Sequence, residues 1–493
     1  MAETMEAVEP GANEADFSGV DRARVIEALA RVMPPGSLLY DQEDLRPYEC
    51  DGLAAYRQVP MVVALPETEA QAAAVLKACS ELHVPVVARG AGTGLSGGAT
   101  PVAHGVVLSL AKFMRILDID PVARTARVQP GVRNLSISEA VAPYGLYYAP
   151  DPSSQIACTI SGNVAENSGG VHCLKYGLTV HNVLSLRVAL IDGTVVEVGS
   201  GALDSPGYDL LALMIGSEGM LGVVLEATVK LTPKPLLAQV VMASFDDVIK
   251  AGNAVADIIS AGIIPAGLEM MDKPATHAVE DFVHAGYDLN AQAILLAESD
   301  GTPEEVAEEI AAMCAVLEKS GATDIRVSHD EAERLKFWAG RKAAFPAVGR
   351  ITPDYLCMDG TIPRKHLAHV LTRIAELSEE YHLRCANVFH AGDGNLHPLI
   401  MFDANVEGEV ERATAYGGKI LELSVEVGGT ITGEHGVGIE KVNQMCVQFS
   451  KEELAAFHGV KAAFDEHTLL NPGKAVPTPR RCSEYRLTGT AKG

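Results

Sequence analysis

RGAGTGLSGGA, from Arg89 to Ala99, is the stretch that decides the fold of this chain of 493 residues. Five of its eleven residues are glycine, which leaves backbone N–H groups uncovered and free to adopt positive φ around a phosphate group. It follows the apolar run VPVVA, Val84 to Ala88, which has the composition of a buried strand. Gly92, Gly94 and Gly97 also fit the dinucleotide fingerprint G-x-G-x-x-G. The stretch therefore predicts a loop that holds a phosphate-bearing ligand.

The residues after the loop exclude a Rossmann site. That fingerprint requires a helix directly after the glycines, with the pyrophosphate at the helix N-terminus. Here the chain continues through Pro101 and Gly105 into VVLSL, Val106 to Leu110, which has strand composition. A structural turn without a ligand is the alternative for a glycine cluster taken alone. The motifs further along the chain favour a dinucleotide cradle of another fold.

Composition narrows the class of protein. The chain has 39 Lys and Arg against 64 Asp and Glu, a formal charge of −25, which disfavours nucleic acid and anionic membrane as partners. Its nine cysteines are scattered and form no C-x-x-C, so a reduced chain without a disulfide framework or an iron–sulfur set is expected. The N-terminus lacks a signal-peptide pattern, and no apolar run approaches the roughly 20 residues of a membrane helix. We therefore expect a cytoplasmic protein.

The rhythm of strands and helices predicts an α+β protein of several domains. A lead and a helix occupy residues 1–55, and short strands and turns with many small polar residues occupy 56–235. Pro233 and Pro235 mark a boundary, after which a sheet covered by helices is predicted over 236–420. A helical segment, 421–475, and a tail, 476–493, follow.

The hairpin CANVFHAGDGNLHPLIMF, Cys385 to Phe402, holds two candidate metal ligands. Asp393-Gly394 is a strong two-residue turn signal, and a turn centred there places His390 directly opposite His397. Directly opposed residues have Cβ atoms about 4.5–5.5 Å apart, close enough for two imidazoles to share a metal. A plain polar pair is the alternative, so the interpretation needs a third ligand.

GTITGEHGVG, Gly429 to Gly438, offers that ligand. Glu434 and His435 are flanked by glycines that let the backbone approach closely and aim both side chains. With His390 and His397, Glu434 would complete a two-histidine, one-carboxylate site suited to Zn²⁺, Fe²⁺ or Mn²⁺, leaving His435 free to act as a base. A strand with exposed polar residues is the alternative.

Arg341 is a candidate carboxylate-binding residue. It lies beside Trp338 and Phe345 on a helix predicted over Asp330 to Phe345. Its planar guanidinium can hold a carboxylate through two hydrogen bonds. A solvated helix cation is the alternative, and the sequence pattern leaves both open.

The ordered motifs RGAGTGLSGGA, PDPSSQIACTISGNVAENSGGVHCLKYG, GSEGMLG, FHAGDGNLHP, GEHGVG and NPGK resemble those of the FAD-linked oxidases of the vanillyl-alcohol-oxidase, or p-cresol methylhydroxylase (PCMH), type. The resemblance spans about Tyr56 to Lys474 and is greatest to the FAD-binding subunits of bacterial glycolate oxidases. It implies a PCMH-type FAD-binding domain of two subdomains, an α/β cap domain with an antiparallel sheet for the substrate, and a helical C-terminal segment that returns to the flavin.

The resemblance also implies which residues bind FAD. The pyrophosphate would be held by Arg89, Gly90, Ala91, Gly92, Thr93, Gly94, Leu95 and Ser96. The flavin and its ribityl chain would be lined by Pro150, Asp151, Ser154, Gly162, Ala165, Asn167, Ser168 and Gly169. Glu218, Gly222 and Val223 would contact the adenosine side, and Asn471 would lie near the isoalloxazine ring.

The implied reaction is the oxidation of a short 2-hydroxy acid, glycolate or D-lactate, to the 2-oxo acid. His390, His397 and Glu434 match the family's metal ligands, His435 its base and Arg341 its carboxylate-binding arginine. Hydroxyglutarate enzymes of the family have a lysine where this chain has Cys357, in YLCMDG; without that cation a monocarboxylate is the expected substrate.

The resemblance implies partners as well. A second FAD-domain subunit and an iron–sulfur subunit of a glycolate oxidase complex, or a quinone-linked acceptor, would take the electrons and bring the chain to the inner membrane. Three alternatives stay open: a D-lactate or D-2-hydroxyglutarate dehydrogenase acting alone, a non-redox FAD-dependent transferase, and an FAD-bearing scaffold.

Overall fold

The computed structural model describes residues 17–202 and 207–489. Most of the expected N-terminal lead and the last four residues of the tail lie outside the described residues.

The strands, in chain order, are β1 Leu38–Leu39, β2 Val62–Ala64, β3 Val86–Arg89, β4 Val106–Ser109, β5 Ile116–Asp120, β6 Thr125–Val128, β7 Leu146–Tyr147, β8 Val183–Ala189, β9 Val195–Gly199, β10 Val223–Lys230, β11 Thr232–Pro233, β12 Leu237–Phe245, β13 Gly267–Asp272, β14 Ala293–Gly301, β15 Asp324–Val327, β16 Asp354–Cys357, β17 Cys385–His390 and β18 Asn395–Phe402. The α-helices are α1 Arg22–Ala30, α2 Gln42–Leu45, α3 Glu69–Glu81, α4 Asn134–Val141, α5 Ile160–Glu166, α6 Cys173–Tyr176, α7 Thr179–Asn182, α8 Leu210–Met214, α9 Val248–Ser260, α10 Lys273–Val283, α11 Pro303–Lys319, α12 Glu331–Lys342, α13 Ala344–Val348, α14 Leu367–Tyr381, α15 Glu409–Glu426, α16 Met445–Gln448, α17 Lys451–Phe464 and α18 Pro479–Gly489.

The described part of the N-terminal half contains two large sheets, each with its own core, and a two-stranded sheet of β7 and β11. A four-stranded sheet in the order β1-β2-β4-β3 packs against α1 and α3, whose leucines and valines are fully buried. A five-stranded sheet in the order β5-β6-β10-β8-β9 is antiparallel throughout and packs against α4 and α5. These sheets form the two predicted subdomains.

The glycine stretch connects β3 to β4, which are parallel neighbours in the first sheet. Residues 90–105, all of them described, contain no helix, as the sequence predicts. Because the connection forms no helix, its peptide N–H groups are not taken up by intrahelical hydrogen bonds; those of Ala99, Thr100 and Gly105 donate elsewhere in the protein, to Asp51, Gly97 and Val102. The loop is therefore a cradle of backbone, and not a Rossmann turn.

The C-terminal half is built on a seven-stranded antiparallel sheet in the order β15-β12-β14-β13-β17-β18-β16. Apolar side chains cover both faces: α9, α11, α14 and α15 pack on one face, and α10, α12 and α13 on the other. The predicted α+β class, with an antiparallel cap sheet covered by helices, is confirmed.

The chain then returns to the first half. The N–H of Val86 in β3 donates to the carbonyl of Leu469, and the N–H of Asn471 donates to the carbonyl of Val86. The buried ammonium of Lys461 donates to Asp465 and to the Leu470 carbonyl, which fixes the segment against the sheet. The NPGK motif therefore lies at the edge of the strand that leads into the glycine loop.

One expectation about the cysteines is wrong. Cys446 of α16 and Cys482 of α18 form a disulfide across 36 residues of sequence. Scattered spacing gives no signal of this pairing, because only the packing of α18 beside α16 brings the two Cα atoms to 5.3 Å. Among the described helices, none combines the length and the apolar character needed to cross a membrane.

Candidate active site

A cavity of about 390 Å³ lies between the two halves of the protein. One wall is the glycine loop, a second is formed by α5 and the residues before it, and a third by the GEHGVG loop with the start of α13. His397, Glu434 and His435 therefore face the same space as the glycine loop.

Close backbone packing explains why the loop is rich in glycine. A Cβ on Gly90 would collide with the hydroxyl of Thr159, and Gly92 has a φ of +71° and lies against the Arg89 guanidinium. A side chain at Gly90 would displace the loop by this collision, and one at Gly92 would be strained, since only glycine adopts such a φ without strain. Arg89 itself is anchored by its Nη1, which donates to the Cys50 carbonyl at 2.8 Å.

Most of the predicted FAD-binding residues line this cavity. They are Arg89, Gly90, Ala91, Gly92, Thr93, Gly94, Leu95, Ser154, Gly162, Ala165, Ser168, Glu218, Gly222 and Val223. Six predicted residues are not in its lining: Ser96, Pro150, Asp151, Asn167, Gly169 and Asn471.

Several of those six support the lining from behind. The Nδ2 of Asn471 donates to the carbonyls of Gly98 and Glu218, and so joins two lining loops. The carbonyl of Ser96 accepts from the N–H groups of Ile439 and Glu440, next to the GEHGVG loop. They thus position the residues that line the cavity.

The structure adds lining residues that the sequence analysis missed. Ser161, Asn163 and Glu166 belong to α5, whose sequence is ISGNVAE, and Thr159 directly precedes that helix. The missed signal is the short helix itself: once a helix is assigned there, a spacing of three or four residues from Gly162 and Ala165 places Thr159, Ser161 and Glu166 on the cavity face, although it does not reach Asn163. Lys342, Phe345 and Pro346 complete the wall.

His390, His397 and Glu434 converge as the sequence predicts. Their potential ligand atoms lie within 4.8 Å of one another. Oε1 of Glu434 lies 3.1 Å from Nε2 of His390 and 3.4 Å from Nε2 of His397. Nε2 of His397 is buried, lies 3.4 Å from a carboxylate oxygen of Asp359 as well, and makes no hydrogen bond within the described part of the chain. The two imidazoles and the Glu434 carboxylate fit the donor set of a divalent metal.

The predicted register of the hairpin is wrong by two residues. His390 pairs with Asn395, and His397 pairs with Val388. The turn is longer than a two-residue one, because Ala391 to Gly394 all lie between the strands. Since side chains alternate with a period of two, this shift keeps both histidines on one face as diagonal neighbours. Their ring centroids are 5.0 Å apart, so the predicted pair survives.

Asp359 organises the loop that carries Glu434 and His435. Its carboxylate is fully buried and accepts the backbone N–H groups of Gly433, Glu434 and His435 at 3.0, 3.2 and 2.9 Å. Nζ of Lys441 lies 3.2 Å away as its counter-ion. Burial raises the pKa of Asp359, but the charges of His435 and Lys441 outweigh it and hold the pKa well below its usual value.

The histidines and the glutamate of the site differ in protonation when no metal is bound. Burial and the neighbouring His397 and Lys441 lower the pKa of His435 to about 4. Burial also opposes the charged form of His390, but Glu269 and Glu434 raise its pKa to about 10. The pKa of Glu434 is lowered to about 2, because His390 overcomes the effect of burial. His435 is thus neutral near pH 7, the form that a general base requires.

Arg341 is buried, with 2% of its surface exposed, and is not among the lining residues described for the cavity. Its Nε donates to Oε2 of Glu269 at 2.6 Å, while its Nη2 is buried without a partner in the described chain. The predicted helix is interrupted at Ala343, which separates α12 from α13. Lys342, which directly follows Arg341 in the sequence, lines the cavity.

The cradle of backbone amides and the adjacent histidine cluster define an FAD-linked oxidoreductase. Residues 60–199 match the family described as "FAD binding domain", and residues 234–475 match "FAD linked oxidases, C-terminal domain". The chain belongs to the FAD-linked oxidase family.

Curated relatives agree with this assignment. Glycolate oxidase subunit GlcD of Escherichia coli strain K12 is 64% identical over 94% of this chain and 93% of its own length. Glycolate oxidase subunit GlcD of Bacillus subtilis strain 168 is 40% identical over 91% and 96%. A D-lactate dehydrogenase of Archaeoglobus fulgidus is 33% identical over 84% and 91%.

Solved structures show the same fold at low identity. p-Cresol methylhydroxylase with bound substrate superposes with a TM-score of 0.78 at 17% identity, over 93% of this chain and 98% of that one. An alkyldihydroxyacetonephosphate synthase gives 0.71 at 17% identity, over 95% and 88%. The predicted PCMH type is confirmed.

Proposed function

We propose that the protein oxidises a short 2-hydroxy acid, glycolate and also D-lactate, to glyoxylate and pyruvate, with FAD as the hydride acceptor. One observation carries this proposal: the glycine loop and the side chains of His397, Glu434 and His435 line the same cavity. The identity to glycolate oxidase subunits and, at lower identity, to D-lactate dehydrogenases supports this choice of substrate.

Two cofactors would meet in the cavity. FAD, held by the lining residues described above, supplies the two-electron acceptor when bound. The donor set of His390, His397 and Glu434 fits Zn²⁺, Fe²⁺ or Mn²⁺, which would supply a Lewis acid for the substrate hydroxyl.

His435 is proposed to take the proton of the substrate hydroxyl. It lines the cavity, its ring stacks on His397 at 4.8 Å between centroids, and its Nδ1 is buried without a partner among the described residues. A low pKa keeps this imidazole unprotonated at neutral pH and so ready to accept a proton.

Arg341 is proposed to hold the substrate carboxylate. A buried guanidinium N–H without an acceptor is costly, so its Nη2 favours an incoming anion. Lys342, which lines the cavity, is the neighbouring candidate. No lysine stands at Cys357, and that thiol is buried, so position 357 itself supplies no cation to a second carboxylate.

Electron transfer out of the reduced flavin is proposed to involve partners. Two relatives that match over more than nine-tenths of their length are named as glycolate oxidase subunits, which supports a complex with further chains. We propose a second FAD-domain subunit and an iron–sulfur subunit, or a quinone-linked acceptor, with the chain in the cytoplasm and peripheral to the inner membrane.

The test is the visible spectrum of the FAD-loaded protein without oxygen, before and after adding glycolate, D-lactate, L-lactate and D-2-hydroxyglutarate in turn. Bleaching by glycolate or D-lactate that a chelator abolishes, and added metal restores, is the expected result. Bleaching by D-2-hydroxyglutarate alone would overturn the choice of substrate. An oxidised spectrum with every acid, in the chain alone and with its partners, would overturn the oxidase proposal and favour a transferase or a scaffold.

A further inference from the structure

Glu269 is a buried carboxylate that the proposed reaction does not use. It lies in the middle of β13, with 1% of its surface exposed, between strands β14 and β17 of the cap sheet. Oε1 lies 2.7 Å from Nδ1 of His390, and Oε2 lies 2.6 Å from Nε of Arg341. One side chain therefore contacts both a candidate metal ligand and the candidate carboxylate-binding residue.

The contact with His390 selects a tautomer. An ionised carboxylate only accepts hydrogen bonds, so Nδ1 of His390 carries the hydrogen. In the neutral imidazole this leaves the lone pair on Nε2, which lies 3.1 Å from Glu434 and points into the metal-ligand cluster. Without Glu269, the ring could adopt the other tautomer or rotate away from the cluster.

The contact with Arg341 fixes the orientation of its planar guanidinium group. Because Nε is held by Glu269, the planar guanidinium cannot turn, and Nη2 is left as a buried N–H group without a partner in the described chain. Without this contact the guanidinium would be free to rotate, and it would lose conformational entropy on binding a carboxylate.

We propose that Glu269 is a positioning residue that sets metal ligation and carboxylate binding together. The inference rests on the proposed function, since it takes His390 as a metal ligand and Arg341 as the binder of the substrate carboxylate. A salt bridge that serves stability alone is the competing account, and it predicts no effect on either site.

The chain offers a matched control for that account. Glu298 in β14 is also buried, and it too contacts a histidine and an arginine: His172 at 3.1 Å and Arg334 at 2.7 Å. Neither of these partners belongs to the metal-ligand cluster or the cavity lining. Glu298→Gln therefore reports the cost of losing a buried carboxylate whose histidine and arginine partners lie outside the metal-ligand cluster of His390, His397 and Glu434.

The experiment compares wild type, Glu269→Gln and Glu298→Gln as full-length, FAD-loaded proteins. An amide at position 269 would donate its N–H either to Nδ1 of His390, selecting the tautomer that cannot bind a metal, or towards Arg341, donor against donor. We expect Zn²⁺ affinity, measured by competition with a chelating dye, to fall about 10–100-fold in Glu269→Gln. The KM for glycolate should rise about tenfold or more, while Glu298→Gln loses melting temperature but keeps both values.

Unchanged Zn²⁺ affinity and KM in Glu269→Gln, with only a lower melting temperature, would overturn the proposal. If that variant does not fold, Glu269→Asp keeps the charge but is one methylene shorter; wild-type Zn²⁺ affinity in it would have the same meaning. A wild type that binds Zn²⁺ yet oxidises no hydroxy acid would overturn the proposed function alone. A wild type that holds no metal would overturn this inference as well.

Discussion

At the scale of single residues, the site depends on which imidazole carries a proton. His390 is held by two carboxylates, whereas His435 stacks on another histidine near Lys441 and Asp359. Without a metal, the pKa of His390 therefore lies above neutrality and that of His435 below it, so of these two imidazoles His435 is the one with a free lone pair for a proton near pH 7, in line with its proposed role as the base.

Replacing His435 tests that assignment. We expect His435→Asn to lower kcat for glycolate about 10²–10⁴-fold, the usual contribution of a general base, with KM changed far less. Steady-state kinetics with an artificial acceptor gives both constants, and the Zn²⁺ content of the variant shows whether the metal-ligand cluster is intact. A variant that keeps near-wild-type kcat would remove His435 from the mechanism.

Arg341 and Lys342 are adjacent in the sequence, but Arg341 is buried against Glu269 whereas Lys342 lines the cavity. Substituting each in turn therefore shows which cation binds the substrate carboxylate. Loss of a hydrogen bond to a charged group costs about 1.5–3 kcal/mol, and we therefore expect Arg341→Met to reduce kcat/KM for glycolate roughly 10–100-fold. Lys342→Met should change it less than about threefold. The reverse order would transfer the carboxylate role to Lys342.

At the scale of elements, the sequence predicts the chemistry of the hairpin better than its geometry. The Asp-Gly signal correctly locates the connection between β17 and β18, but it misses the longer turn and so the pairing of His390 with Asn395. Because side chains alternate between the two faces of a strand, a register shift of two residues leaves both histidines on the same face, and the functional conclusion is unchanged. Turn length depends on contacts made by other segments: Gly394 packs against the Ile362 carbonyl, from a distant part of the chain.

The GEHGVG loop shows the same limit. Its glycines predict a close backbone approach, and the N–H groups of Val437 and Gly438 indeed donate to Glu218 at 2.7 Å. Its anchor, Asp359, could not be predicted, because that carboxylate lies some 75 residues earlier and its role appears only once β16 is placed beside β18. The spacing of residues along the sequence does not predict such a contact.

Removing that anchor should be costly. Asp359→Asn leaves the buried ammonium of Lys441 without its main counter-ion, and breaking a buried ion pair costs about 3–5 kcal/mol. We expect a clear fall in the denaturation midpoint together with loss of bound Zn²⁺. Glu440→Gln is the control: burial raises the pKa of Glu440 to about 7, and its Oε2 lies 3.6 Å from Nζ of Lys441, farther than the carboxylate of Asp359, so the neutral amide should cost less than Asp359→Asn. Equal effects of both variants would contradict the anchor role.

At the scale of the whole molecule, the cavity exists only because the chain crosses between its halves several times. Leu469 to Asn471 return to β3, and Glu218 of the first half holds the GEHGVG loop of the second. Local patterns predict each motif, but their assembly depends on contacts between residues far apart in the sequence, such as that between Lys474 and the Gly98 carbonyl, 376 residues away. The family resemblance provided this arrangement where periodicity could not.

His172 is a further link between the halves. Its Nδ1 lies 2.7 Å from Asp151 in the first half, and its Nε2 lies 3.1 Å from Glu298 in the cap sheet. Burial lowers the pKa of His172, but the two carboxylates raise it more and leave it well above its usual value. The imidazolium is thus bound more tightly in the folded protein than in the unfolded chain.

This difference makes the link depend on pH in a defined direction. Because the folded-state pKa is the higher one, the stabilisation is complete below about pH 6.5, where His172 is charged in both states. It then decreases by about 1.4 kcal/mol per pH unit and is lost once the pH passes the raised value.

We therefore expect the gap in melting temperature between wild type and His172→Gln to be widest at pH 6 and to narrow steadily as the pH rises. In a Glu298→Gln background, which lacks one of the two carboxylates, the gap should be smaller and less dependent on pH. A gap that stays constant across this range would mean that His172 joins the halves by packing and neutral hydrogen bonds, with no contribution from its charge.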